Sequence, residues 1–124
     1  MRVLGLDYGS ARTGVAVSDP TGTIAKPLGV VEHVTESDGF ETLLEVIRIE
    51  EPELVVVGLP LTLRGEHGAQ AKETNGFVTS LRQALDIPVE TYDERFTSVL
   101  ADGDDSRAAA HLLSGYLTWR SGQS

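Results

Sequence analysis

The chain contains no cysteine. That absence excludes a disulfide framework, a thiolate metal site and a thiol nucleophile, so any metal must be held by oxygen or imidazole. It also makes a cytoplasmic location the simple expectation. Positive charge is scarce: ten Lys and Arg stand against 19 Asp and Glu, a formal charge of −9. Such a balance argues against the clustered basic footprint of large, non-specific nucleic-acid binders. It leaves room for a local basic patch or a metal-bridged contact, because acidic clusters that hold divalent cations add to the negative count. Long apolar runs are missing too. The longest, "LVVVGLPL" from Leu54, is broken by Gly and Pro and falls far short of the roughly 20 residues of a spanning helix. The opening "MRVLGLDYGS" reaches an Asp too soon for a signal-peptide core. We expect neither membrane association nor export.

What is present reads as one globular unit. With 124 residues, 40% of them hydrophobic and 23% charged, the chain is long enough for one core and too short for two ordinary domains. We expect a single domain over residues 1–119, with 120–124 as a frayed tail, in a monomer or homodimer. Three branched, apolar segments come first: "RVLGLDYG", "TGVAVSD" and "GTIAKPLGVVE" (22–32), read as successive antiparallel strands. "SDGFETLLEVIRIEEP" carries Phe40, Leu43, Leu44 and Ile47 at helical spacing, with Ser37 or Asp38 as cap and Pro52 as stop. "ELVVVGLP" suits a central parallel strand covered on both faces. A second helix over 69–85, a fifth strand "IPVETYDE" and a last helix "DSRAAAHLLSGYLTWR" complete the order βββαβαβα. The expected fold is α/β: a mixed five-stranded sheet, three antiparallel strands and then two parallel ones, with helices on its faces.

Three acidic positions stand out against this frame. Asp7 closes the first strand, and Asp93 with Glu94 closes the fifth. In a sheet where strands one, four and five run parallel, these ends share the edge at which ligand sites of open α/β sheets gather. Asp105 opens the last helix in phase with its apolar stripe of Ala109, Leu112 and Tyr116. Each has an ordinary reading, as a turn Asp, a helix cap or a charge favourable to the helix dipole. Together, three carboxylates on separate elements can hold one or two Mg²⁺ or Mn²⁺ ions and support phosphoryl transfer. Arg64, Arg95 and Arg107 are candidate phosphate contacts. His33, His67 and His111 do not cluster, Tyr116 and Trp119 fit a core stripe, and Ser10 with Thr13 could form a phosphate-binding turn.

The segments "LGLDYGSARTGVAVSD", "VVVGLPLTLRGEHG", "YDERFTS" and "DSRAAAHLLSGYL" resemble, in order and context, the YqgF/RuvX family of pre-16S rRNA nucleases and Holliday-junction-resolvase-like proteins. The resemblance runs from Arg2 to about Leu117. It implies an RNase H-like fold and a metal-dependent nuclease that uses Mg²⁺ or Mn²⁺. It implies as partner a structured RNA, the 5′ end of pre-16S rRNA, or a branched DNA, and an association with ribosomal particles. The family's first-strand acid falls on Asp7, its "DER" motif on Asp93, Glu94 and Arg95, and its last-helix acid on Asp105, eleven residues before Tyr116. Glu94 is favoured over Asp93 as a ligand, with both kept as candidates. The chain departs from the family between "DER" and Asp105, where a longer segment with a basic turn is shortened by on the order of a dozen residues. Two rival readings follow: a non-catalytic nucleic-acid or ribosome-associated module, and a nucleotide-binding reading of "DYGSARTG" that would need a second domain.

Overall fold

The computed structural model describes residues 1–60, 64–93 and 105–122, the side chain of Asp105 excepted. Five strands and three helices follow in the expected order: β1 Val3–Asp7, β2 Arg12–Ser18, β3 Ala25–Glu32, α1 Ser37–Glu50, β4 Leu54–Leu59, α2 Ala69–Ala84, β5 Val89–Asp93 and α3 Asp105–Ser121. The strands form one sheet in the order β3-β2-β1-β4-β5. β1 and β2, and β2 and β3, pair antiparallel, while β4 joins β1 and β5 joins β4 in parallel.

Side-chain alternation sorts the sheet into two cores. Leu4 and Leu6 of β1, Val15 of β2, Val55 and Val57 of β4 and Val89 of β5 pack with Leu43 and Ile47 of α1 and Phe77, Val78 and Leu81 of α2. Val3, Ala16, Leu54, Val56 and Tyr92 face the other way, against Ala109, Leu112, Leu113, Tyr116 and Leu117 of α3. β4 is buried along its whole length, which is why its sequence is a continuous apolar run and not an alternating one. Gly5 lets α3 lie close to the sheet: a Cβ there would stand 3.0 Å from Leu113 Cβ and 3.6 Å from the Ala109 carbonyl oxygen.

Several local expectations are corrected. β3 begins at Ala25, because Asp19 folds the preceding turn: its carboxylate accepts from the N–H groups of Thr23 (2.8 Å) and Ile24 (2.9 Å) and from the Thr21 hydroxyl. The cap of α1 is Glu36, with no side-chain capping bond, in place of Ser37 or Asp38. Glu51 adopts the left-handed conformation (φ 49°) and Pro52 follows, which ends α1 where the sequence placed its stop. α3 includes Arg120 and Ser121, the first two residues of the expected tail, and Arg120 Nη1 donates to the Tyr116 hydroxyl at 2.8 Å. Tyr116 is buried, but Trp119 is half exposed, at 50%. It leans on Tyr92 with ring centroids 6.0 Å apart. β5 is the last strand of the sheet, so the helical stripe outruns the surface that could bury it.

Among the described residues no helix is long and apolar enough to cross a membrane.

Candidate active site

Parallel pairing brings the carboxyl ends of β1, β4 and β5 to one edge. Leu6 pairs with Val57, so Asp7 is level with Gly58, and Gly58 in turn pairs with Tyr92. On its other side Asp7 pairs with Gly14. The half-buried Asp7 therefore stands between two glycines, neither of which presents a side chain beside the carboxylate. Alternation from Val3 and Gly5 places Asp7 on the face covered by α3. A carboxylate at the end of a buried strand, on a face with glycine neighbours, is suited to meet a ligand rather than to pack.

Asp93 ends β5 opposite Leu59. It is four residues beyond Val89, which belongs to the core under α1 and α2, so alternation turns Asp93 toward that face, away from Asp7. Tyr92 and Glu90 point to the α3 face: Tyr92 meets Tyr116 edge-on at 5.6 Å, and the Tyr116 hydroxyl donates to Glu90 Oε1 at 2.8 Å. Burial first, then the bond to Glu90, push the Tyr116 phenol above its ordinary pKa. Asp105 is the first residue of α3, one turn before Ala109, which packs on Gly5. Glu94, Arg95 and the side chain of Asp105 lie outside the described residues. Among those described, no three metal-ligating side chains come together.

The turn after Asp7 is built from backbone contacts. Gly9 lies so near the Arg12 carbonyl that a Cβ would come within 2.4 Å of it. The buried Thr13 hydroxyl donates to the Gly9 carbonyl at 3.1 Å. Thr13 thus fastens the turn, which corrects its reading as a phosphate-binding hydroxyl. Ser10 is exposed.

Of the basic candidates, Arg64 is exposed in the segment after β4, and Arg107 is exposed in the first turn of α3. His67 is exposed as well. Sequence reasoning missed Arg12. It begins β2 two residues before Gly14, the partner of Asp7, and so shares the α3 face with Asp7 just past the strand end. The signal was available in the alternation of "RTGVAVS", once Gly14 is set opposite Asp7.

The fold is shared with Thermus thermophilus RuvC in complex with a Holliday junction substrate, at a TM-score of 0.62 and 21% identity, over 100% of this chain and 98% of that one. It is also shared with the fowlpox virus resolvase in complex with Holliday junction DNA, at 0.53 and 11%, over 99% and 97%. The expected RNase H-like architecture is therefore present. Three bacterial relatives each carry the name "Putative pre-16S rRNA nuclease". That of Sulfurihydrogenibium sp. is 46% identical, over 94% of this chain and 89% of its own. That of Roseiflexus sp. is 45% identical, over 82% and 72%. That of Maridesulfovibrio salexigens is 38% identical, over 94% and 98%. This last alignment runs over 132 residues, more than the 124 of the whole chain, so the relative carries residues that this chain lacks. The family described as "RuvX: Holliday junction resolvase" matches residues 1–118, and the chain belongs to the RuvX family.

Proposed function

We propose that the carboxyl edge of the sheet is the active site of a metal-dependent nuclease that hydrolyses phosphodiester bonds in structured RNA, with the 5′ end of pre-16S rRNA as substrate. The observation that carries this reading is the setting of Asp7: a strand-end carboxylate on the α3 face between Gly14 and Gly58. Relatives named as pre-16S rRNA nucleases support the substrate class.

The donor set fits a hard cation. The chain has no thiolate to offer, and Asp7, Glu94 and Asp105 are all-oxygen donors of the kind that suits Mg²⁺ or Mn²⁺. Asp93 turns to the opposite face, which favours its neighbour Glu94 as the third ligand. When bound, the metal supplies Lewis-acid stabilisation of charge on the phosphoryl oxygens and lowers the pKa of water. The chain's own part is to hold the carboxylates on rigid elements: Asp7 at the end of a strand paired on both sides, and Asp105 at the start of a helix seated on Gly5. Arg12, Arg64, Arg95 and Arg107 would then orient the substrate backbone as phosphate contacts, and a local arginine group of this kind is compatible with a net charge of −9.

The test is cleavage of a pre-16S rRNA fragment with Mn²⁺ by the wild type and by Asp7→Asn. Cleavage by the wild type, reduced at least about a hundredfold in the variant, is expected for loss of a ligand, given that outer-shell partners alone are worth roughly 10–100-fold. Equal cleavage by both proteins removes the mechanism. The residues missing relative to the Maridesulfovibrio protein favour one second reading, a non-catalytic RNA-binding module. Salt-sensitive RNA binding by the wild type, with no metal-dependent cleavage, would establish it.

A further inference from the structure

The last turns of α3 leave one aromatic ring in water. Trp119 is half exposed, yet two buried rings hold it in place. Its centroid lies 6.0 Å from that of Tyr92 and 5.9 Å from that of Tyr116, and those two rings meet at 5.6 Å. The Tyr116 hydroxyl donates to Glu90 and accepts from Arg120 Nη1, each at 2.8 Å. This chain of bonds sets the exposed Arg120 over the Tyr116 ring, with its guanidinium carbon 6.0 Å from the ring centre. The bond to Tyr116 uses one of the five guanidinium N–H donors. Trp119 and Arg120 thus present a half-exposed indole and a cation from one shared support.

Position ties this pair to the proposed active site. Asp7, Gly58 and Tyr92 are level across β1, β4 and β5, and Asp7 and Tyr92 point to the same face. Two strand spacings, about 10 Å, separate them, and Trp119 leans on Tyr92. A nucleic-acid strand that meets Asp7 and crosses β4 and β5 reaches the indole within a few nucleotides. The surroundings favour a base over a protein. The other exposed large apolar residues among those described are Met1, Ile24, Leu28, Val30 and Ile49, none of them on β5 or α3. The helix neighbours Thr118, Arg120 and Ser121 are exposed and polar. A stable protein interface buries about 800 Å² per partner around an apolar centre, which one ring among polar groups does not supply.

We propose that Trp119 is a stacking platform for an unpaired base flanking the scissile phosphate of the RNA substrate, with Arg120 contacting an adjoining phosphate. The proposal rests on the reading of this chain as an RNA nuclease. Unpaired bases are held by stacking on aromatic side chains, and such stacking tolerates any base because every base has a π-face. An arginine on the backbone positions the strand without reading its sequence. The platform therefore supplies grip, not sequence specificity. A chain with a net charge of −9 gains little general attraction for phosphate, so a contact that acts through the base and not through charge has a larger share of the binding. The two buried tyrosines fix the indole before the strand arrives, which lowers the entropy lost on binding.

Trp119 is the chain's single tryptophan, so its fluorescence reports on the platform directly. Titration of the full chain in EDTA with a short single-stranded oligoadenylate should quench the emission saturably, and an abasic strand of the same length should leave it unchanged. Affinity for the labelled oligoadenylate, read by anisotropy, should fall at least about fivefold in Trp119→Ala and recover in Trp119→Phe, which keeps an aromatic face. Arg120→Gln should weaken both strands and lower the salt dependence of binding. Unchanged emission with oligoadenylate, equal quenching by the abasic strand, full affinity in Trp119→Ala, or an emission that shifts with protein concentration as the chain dimerises would each overturn the proposal. Quenching without cleavage of the pre-16S rRNA fragment in Mn²⁺ would leave the platform standing and remove the nuclease reading, and cleavage without quenching would do the reverse.

Discussion

The two ends of the sheet handle polar groups in opposite ways. At the end where β1 begins and β2 finishes, polar groups are tied to one another. The N-terminal ammonium donates to the Pro20 carbonyl (2.8 Å), the Val3 N–H to Ser18 Oγ (2.8 Å) and the Glu53 N–H to the Arg2 carbonyl (2.8 Å). Arg2, just before β1, ties α1 to β2: Nε donates to the Glu50 carbonyl, Nη2 to Glu50 Oε1 at 2.7 Å and Nη1 to the Ser18 carbonyl. At the other end, β1 and β5 finish in acids, and glycines flank Asp7. The first arrangement ties the fold together, and the second is where the proposed metal site lies. Substitutions should accordingly separate into those that alter stability and those that alter activity.

The sharpest division is expected at Gly58. Its buried strand position is outside the left-handed region, so the backbone accepts Gly58→Ala, while the added methyl projects beside Asp7. Cleavage of the pre-16S rRNA fragment should fall about tenfold or more, in keeping with the sensitivity of reactions to small misplacement at the site, while circular dichroism reports an intact fold. Unaltered cleavage would break the claim that the glycines clear the site. At the opposite end Arg2→Ala should behave in reverse. Loss of its partly exposed bridge should lower stability by about 1–2 kcal/mol in urea unfolding and leave cleavage per folded molecule unchanged.

A smaller effect is expected at Asp19, at the same tied end. The bond from the Ile24 N–H, followed by those from Thr21 and Thr23, depresses its carboxyl pKa well below the usual range. A depressed folded pKa means that the stabilisation is fully present above the unfolded value, about 3.9, and is lost as pH falls toward the folded one. The difference in urea midpoint between wild type and Asp19→Asn should therefore be present at pH 7 and shrink steadily below about pH 4. A difference that grows on acidification would contradict this account of the turn.

The legibility of the two ends in sequence differed as well. Element order, the burial of β4 on both faces and the facing of α3 could be read because each rests on periodicity within one segment: the unbroken run "LVVVGL", or Ala109, Leu112 and Tyr116 at helical spacing. The edge shared by Asp7 and Asp93 also followed from strand direction alone. Register was the missing information. The facing of Asp93 away from Asp7, the placement of Gly14 and Gly58 at its sides and the presence of Arg12 on its face all depend on which residues pair across strands. Trp119 misled for a related reason, since helical phase predicts the direction of a side chain but not whether a sheet lies beneath it. A cavity lined by Tyr8, Phe40, Glu73 and Phe77 was invisible because its walls come from the residue after β1, from α1 and the segment leading into it, and from α2, none of which signals it alone.

The central claim, that the open end of the sheet holds a divalent cation on Asp7, is most directly tested by anomalous diffraction from crystals soaked in Mn²⁺. The account predicts a peak at coordination distance from the Asp7 carboxylate, on the face covered by α3, which disappears in Asp7→Asn. A fully soaked crystal with Mn²⁺ bound elsewhere and none at Asp7 would contradict it.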